Sequence, residues 1–157
     1  MEKLTITIIA LVSMLSIIPL QALELKDLPN PLKDAKIGEW VLYESPGNIK
    51  MKQEIINVSP EEITLKMTMS KEGKKSTSME SKIPKDLKKL LKEIGAKNIK
   101  ITKGNITVKG KELNCYILES EFNGMKSKTF MSVDIPVSGL IQSDLNGKTS
   151  MKLIDFK

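Results

Sequence analysis

The stretch Lys128–Phe156, KTFMSVDIPVSGLIQSDLNGKTSMKLIDF, decides the fold because strand patterns and turn signals alternate along it. At its start, Met131 and Val133 are separated by a polar residue and followed by another. Such alternation predicts a half-buried strand that continues to Asp134. No residue of the stretch belongs to a recognisable catalytic motif, so it informs architecture rather than chemistry.

Two turn signals divide this stretch into strands. Pro136 cannot donate a backbone hydrogen bond to a ladder, and Gly139 permits unusual backbone angles, so the PVSG quartet should interrupt a strand. Asn146-Gly147 is the strongest short hairpin signal and should form a two-residue turn. The stretch Lys128–Phe156 therefore predicts antiparallel strands joined by tight turns.

The same rules extend the sheet toward the N-terminus. The segment Ile63–Met69 alternates strictly between apolar and polar residues, and Ser76–Ile83 is a less hydrophobic return strand that suits a sheet edge. Counting the C-terminal pieces, about nine or ten short strands are predicted. The remaining predicted strands are Ile37–Tyr43, Ile49–Val58, Asn98–Thr102, Asn105–Lys109, Leu113–Phe122 and Lys126–Asp134.

One segment, Pro84–Gly95, has a helical rather than a strand pattern. Its four large apolar residues recur at the spacing of one helix face, and proline and glycine suit the first helical position and the C-terminal cap. A helix packed on the sheet with its lysines in solvent is the favoured interpretation, and a membrane-seeking helix is the alternative. The apolar face consists of Leu87, Leu90, Leu91 and Ile94.

The N-terminus has the order of a secretory signal. A charged head precedes the apolar run Leu4–Leu20, and Ala22 offers a small residue at the cleavage position. An uncleaved anchor is the alternative, although the run is short for a membrane span of about 20 residues. We therefore expect a signal peptide at 1–22, an irregular arm at 23–36, a single antiparallel β domain at 37–157, and a periplasmic or secreted location.

Composition narrows the possible chemistry. The chain has a formal charge of +6, its positive side chains are all lysines, and it contains neither arginine nor histidine. Histidine-dependent nucleophilic catalysis and histidine-ligated metal sites are therefore excluded, and specific nucleic-acid recognition lacks its usual arginine fork. We expect no enzyme activity, no cofactor and no metal. The lysines could attract an anionic envelope surface, or could simply be a solvated surface.

The single cysteine, Cys115, lies in a strand pattern. It cannot form a disulfide within the chain, and it is interpreted as a small buried hydrophobe. A reactive thiol is the alternative.

Methionines mark a candidate binding site. Methionine is flexible and polarizable, so a helix face lying over a methionine-rich sheet face could enclose a deformable cavity for a lipid or another apolar ligand. The alternative is an ordinary core that contains methionine because aromatic residues are scarce. We expect a monomer in either case. The candidate cavity residues are Leu65, Met67, Met69, Leu87, Leu90, Leu91, Ile94, Met131 and Val133.

The motifs GEWVLY at Gly38–Tyr43 and KTFMS-x-DIPVSGLIQ with NGKTSMKLIDF at Lys128–Phe156 resemble a group of uncharacterised exported bacterial proteins. Their fold is similar to that of the periplasmic Lol-type lipoprotein carriers. The resemblance implies a mainly β (α+β) domain with one strongly curved antiparallel sheet, a half-barrel, and a helix packed on it over an acyl-chain cavity. The chain departs from those carriers in its fewer helices and its lack of arginine. An envelope structural or protein-interaction domain with a solid core is the alternative function.

Overall fold

A computed structural model describes residues 27–86, 89, 97–122 and 124–157. Every element in this part of the chain is a β-strand, and the strands are joined mainly by short turns. Their bounds are β1 (Trp40–Ser45), β2 (Ile49–Val58), β3 (Glu62–Lys71), β4 (Thr77–Pro84), β5 (Lys97–Val108), β6 (Lys111–Phe122), β7 (Met125–Met131), β8 (Leu140–Leu145) and β9 (Lys148–Phe156).

The nine strands form one antiparallel sheet in the order β4-β3-β2-β1-β9-β8-β7-β6-β5. The chain enters at the centre with β1 and runs outward to β4. It resumes at the opposite edge with β5 and returns to β9, which pairs with β1. Trp40 and Lys157 exchange two backbone hydrogen bonds of 3.0 Å across this central junction. The edge position predicted for the fourth strand is confirmed.

The half-barrel prediction is wrong, because the sheet is open and is not strongly curled. The predicted helix packed on the sheet is also absent from the described residues. Its expected first residue, Pro84, is instead the last residue of β4, where it pairs with Glu62. Most of the remaining helix prediction, at 87, 88 and 90–95, lies outside the described residues.

The sheet's apolar side is covered by a loop and the arm, where the prediction had a helix. The loop 132–139 between β7 and β8 inserts Ile135 and Val137, both completely buried, and the arm inserts Leu32. Each such side chain stabilises the fold by about 1.5–3 kcal/mol through removal from water. The strand residues of this core are Val41, Tyr43, Ile55, Ile63, Leu65, Val108, Leu113, Cys115, Ile141 and Leu153.

The loop 132–139 holds a strained turn. The carbonyl oxygen of Pro136 accepts a hydrogen bond from the Ser138 N–H at 2.9 Å, which closes a three-residue turn around Val137. Val137 has a φ of 68°, an unfavourable value for a β-branched residue. Burial of its side chain offsets this strain, which is of order 1–3 kcal/mol. The break predicted at PVSG is therefore confirmed, and the side chain of its Val137 belongs to the core.

The alternation predicted through Asp134 is wrong beyond Met131. β7 ends at Met131, Ser132 is buried, and Val133 is 53% exposed. The reason is that the carbonyl oxygen of Ser132 accepts a hydrogen bond from the Ile135 N–H at 3.3 Å, which closes a four-residue turn and takes the chain out of the strand direction.

The break predicted between the strands Asn98–Thr102 and Asn105–Lys109, at Lys103-Gly104, is also wrong, since β5 runs continuously through it. Gly104 lies opposite Cys115 in the β5–β6 ladder. A Cβ atom at this position would lie 2.7 Å from Cδ1 of Ile117. A larger residue at 104 would therefore force the Ile117 side chain to shift.

The Asn146-Gly147 turn is confirmed. β8 ends at Leu145 and β9 begins at Lys148, with φ angles of 49° at Asn146 and 77° at Gly147. Two successive positive φ values are those of the tight hairpin turn that twists with its strands.

Candidate functional site

The exposed edge strand β4 has the sequence TSMESKIP, and within the described residues it pairs only with β3. Its register with β3 shows no shift. Just past the strand, the Lys85 N–H donates to the carbonyl oxygen of Glu61 at 2.8 Å, so odd-numbered residues direct their backbone groups toward β3. In an antiparallel ladder the intervening residues direct theirs away.

This alternation defines an outer ladder on β4. It consists of the backbone N–H and C=O groups of Ser78, Glu80 and Lys82, together with the carbonyl of Pro84. Proline at an outward position fits the rule that edge strands tolerate it where no N–H is needed. The position of Pro84 thus supports the assignment made from Lys85.

Methionines lie side by side on one face of the sheet next to this edge. Met67 pairs with Met79, and Met51 pairs with Met69. Met79 is 54% exposed and Met69 is 44% exposed, while the other two are half-buried. We call the surface of these four side chains the methionine face. On the same side of β3, the methionine face adjoins the core residue Leu65.

The opposite face of the same strands is charged. Glu54, Lys66 and Glu80 lie in one cross-strand row, so opposite charges are neighbours. Nearby, Lys82 Nζ lies 2.8 Å from Glu62 Oε1, and this hydrogen bond raises the pKa of Lys82. We call this side of β2–β4 the charged face.

A second ion pair lies on the charged face, nearer the centre of the sheet. Lys52 Nζ lies 2.9 Å from Glu54 Oε2 and 5.2 Å from the ring centroid of Trp40. The hydrogen bond from Lys52 lowers the pKa of Glu54. The lysine is therefore held by a carboxylate and an aromatic ring at once.

The structure does not bring all the predicted cavity residues together. Leu65, Met67 and Met69 share one side of β3, but β2, β1, β9 and β8 separate this strand from β7, which carries Met131. Val133 lies in the loop after β7. The predicted helix residues Leu87, Leu90, Leu91 and Ile94 lie outside the described residues.

Met131 and Val133 instead border a small groove beneath the arm. Leu28 and Pro31 of the arm and Tyr116 of β6 also line it. The groove is far from the methionine face in the order of the strands. Ligand binding by the predicted set stays a prediction.

Sequence reasoning missed Met51 and Met79 as companions of Met67 and Met69. The signal was available, because β3 and β4 are joined by a short polar segment containing Gly73. A hairpin at this segment places Met79 in the neighbourhood of Met67 on the same face.

Several other observations bear on chemistry. Cys115 is buried as predicted, and burial raises the pKa of its thiol, which disfavours the reactive thiolate.

Among the described residues, no three acidic or cysteine side chains are grouped closely enough to hold a metal ion. No helix in this part of the chain has the length and apolar character needed to cross a bilayer.

Comparison with protein-family models, curated proteins and solved structures finds no match to this chain. The resemblance to Lol-type carriers stays a prediction from its motifs, and the open sheet does not have the half-barrel that the resemblance implied.

Proposed function

We propose that the protein is an exported, non-catalytic domain that binds an extended polypeptide segment by adding it as a strand beside β4. The observation that carries this proposal is the outer ladder of β4, which lies next to the exposed side chain of Met79. Strand addition at a sheet edge obtains affinity from backbone hydrogen bonds and specificity from alternate side chains.

The backbone groups favour a polypeptide over a lipid as the bound partner. The N–H and C=O groups of Ser78, Glu80 and Lys82 alternate along the edge, and another strand presents matching groups at the same spacing. An acyl chain has no such donors and acceptors along its length. The protein-interaction alternative derived from the sequence is therefore the one that this surface supports.

The methionine face supplies the apolar part of the proposed contact. An added strand would direct every second side chain toward Met79 and, beyond it, Met67. Methionine side chains adapt to apolar partners of different shape. The removal of such a side chain from water contributes up to about 1.5–3 kcal/mol.

Export is part of the proposal and rests on the pattern of Met1–Ala22. Intact-mass measurement on protein recovered from its native host should give a chain that begins at Leu23. A cytoplasmic protein that still begins at Met1 would contradict this part of the proposal.

A photoreactive amino acid at position 79 tests the binding surface. With benzoylphenylalanine replacing Met79 in the full chain expressed in its native host, irradiation should attach a polypeptide. The same replacement at Lys66, an exposed residue of the charged face on β3, is the matched control and should give no adduct.

The mass of the adduct decides the outcome. A polypeptide attached at 79 but not at 66 supports strand addition. A lipid attached at 79 would overturn the polypeptide proposal in favour of apolar-ligand binding, and the absence of any adduct at 79 would overturn both.

A further inference from the structure

We propose that the polypeptide bound at β4 is the β4 strand of a second copy of this chain, in a register with a two-fold axis at Ser81. This inference rests on the proposed function and names its partner. It follows from the order of charged, apolar and proline residues along TSMESKIP.

Symmetry limits the possible registers. When two identical antiparallel edge strands pair around a two-fold axis perpendicular to the sheet, the axis passes through one residue position. Residues equally far from the axis then lie opposite each other. The four central choices of axis are Met79, Glu80, Ser81 and Lys82.

Charge complementarity selects one of these four registers. An axis at Glu80 or at Lys82 places that residue opposite its own copy, so like charges meet. An axis at Met79 places Glu80 opposite Ser78. Only the axis at Ser81 places Glu80 opposite Lys82, and the two-fold symmetry creates this pair twice.

The backbone groups agree with the same register. Glu80 and Lys82 both belong to the outer ladder, so opposite copies of them can exchange both backbone hydrogen bonds. Pro84 would lie opposite Ser78, where its carbonyl oxygen can accept the Ser78 N–H. The missing N–H of the proline leaves one Ser78 carbonyl for solvent at each end of the pair.

The apolar side chains also match. With the axis at Ser81, Met79 of one copy lies opposite Ile83 of the other, again twice. Met79 is 54% exposed, and Ile83 is half-buried and packs against the core. The two methionine faces would meet to form one apolar surface across a sheet of eighteen strands, since the described part of each copy contributes nine.

Edge lysines and prolines usually prevent such pairing between sheets. Here Lys82 lies opposite Glu80 in one register and opposite its own copy in the next, while the carbonyl of Pro84 remains able to accept a hydrogen bond. Glu80 and Lys82 therefore select the register. This proposal replaces the monomer expected from the sequence.

Charge exchange tests the register. Sedimentation of the purified protein across a concentration series should show a reversible dimer. Glu80→Lys places lysines opposite lysines, and Lys82→Glu places glutamates opposite glutamates, so each single variant should weaken dimerisation by roughly tenfold or more.

Two combinations should restore the dimer. An equimolar mixture of Glu80→Lys with Lys82→Glu pairs opposite charges at both positions and should form a mixed dimer. The double variant Glu80→Lys/Lys82→Glu should dimerise with itself. Glu44→Lys, the same change of charge on an exposed residue of β1, is the matched control and should leave dimerisation unchanged.

The outcomes separate this inference from the proposed function. A wild type that remains monomeric, or a mixture that fails to restore dimers, overturns the second-copy inference. If position 79 still crosslinks to a different polypeptide, strand addition at β4 survives this result. Far-UV circular dichroism of each variant shows whether loss of dimers reflects loss of folding.

Discussion

The hydroxyl of Tyr43 donates a hydrogen bond of 3.1 Å to the carbonyl oxygen of Leu140, which ties the central strand β1 to the first residue of β8. The same hydroxyl lies 3.3 Å from Oγ of Ser138. Tyr43 is completely buried, and its desolvation raises the pKa of the phenol to about 12. A single polar atom thus contacts both the start of β8 and the loop 132–139.

Replacement of Tyr43 by phenylalanine should lower the free energy of unfolding by about 1–3 kcal/mol, because it leaves the Leu140 carbonyl without this donor. Urea unfolding measures the change. Ser138→Ala is the control, since it removes the longer contact and retains the bond to Leu140, and its effect should be smaller. Equal stability of the wild type and Tyr43→Phe would show that the bond from Tyr43 to Leu140 does not stabilise the fold.

Alkaline pH should destabilise the wild type more than Tyr43→Phe. The pKa of Tyr43 is about 12 in the folded protein against an ordinary value of 10.0. Because the folded pKa is the higher one, this contribution to stability is complete below pH 10 and is lost as the pH rises toward 12. Urea midpoints of the two proteins over this interval measure the difference.

Absorbance gives a separate check on the same group. The sequence contains two tyrosines, so a phenolate titration of the folded protein has two components. The component near pH 12 should disappear in Tyr43→Phe. If it persists, the raised pKa has been assigned to the wrong group.

Gly139→Ala should destabilise the protein more than Gly147→Ala. Both glycines have a positive φ, 70° and 77°, so both alanines are strained by about 1–2 kcal/mol. A Cβ at 139 would also lie 2.8 Å from the Ser132 carbonyl oxygen and 2.9 Å from Cβ of Pro31, whereas the space around 147 is open. Melting temperatures of the two variants give the comparison. Equal losses would mean that the arm does not press against the loop.

Gly104→Ala should destabilise β5 through its collision with Ile117, and Ile117→Ala should relieve it. The colliding atom is the end of a flexible side chain, so the effect should be about 1–3 kcal/mol. A double-mutant cycle measures the coupling: the double variant should lose less stability than the sum of the single variants. If the stability losses of the two single variants simply add, a feature other than Ile117 favours glycine at 104.

Local patterns in the sequence predicted several elements correctly. Asn146-Gly147 needs only its own two residues to specify a turn, and the low hydrophobicity of Ser76–Ile83 reflects its exposure at an edge. The helical spacing in Pro84–Gly95 is equally local, yet Pro84 ends a strand, because an edge position tolerates a missing N–H. The spacing of apolar residues shows which face of a segment is apolar, but it does not show where the preceding strand ends.

The candidate site was harder to predict because it depends on which strands are neighbours. Alternation places Met67 and Met69 on one side of β3 and Met131 near one end of β7, but it does not reveal that four strands lie between β3 and β7. That separation follows from the pairing of β1 with β9, which joins residues distant in sequence. The register of the β3–β4 hairpin fixes Met79 as the partner of Met67.

The junction of β1 and β9 also has a consequence for folding. The strands β1–β4 and β5–β9 can each form from consecutive hairpins, whereas the junction closes a loop of more than about 100 residues, which costs about 2 kcal/mol more in chain entropy than a ten-residue hairpin. We therefore expect the junction to form last. Until it does, β1 and β9 are open edges as well, so the risk of wrong pairing between nascent chains should be greatest just before the two half-sheets join.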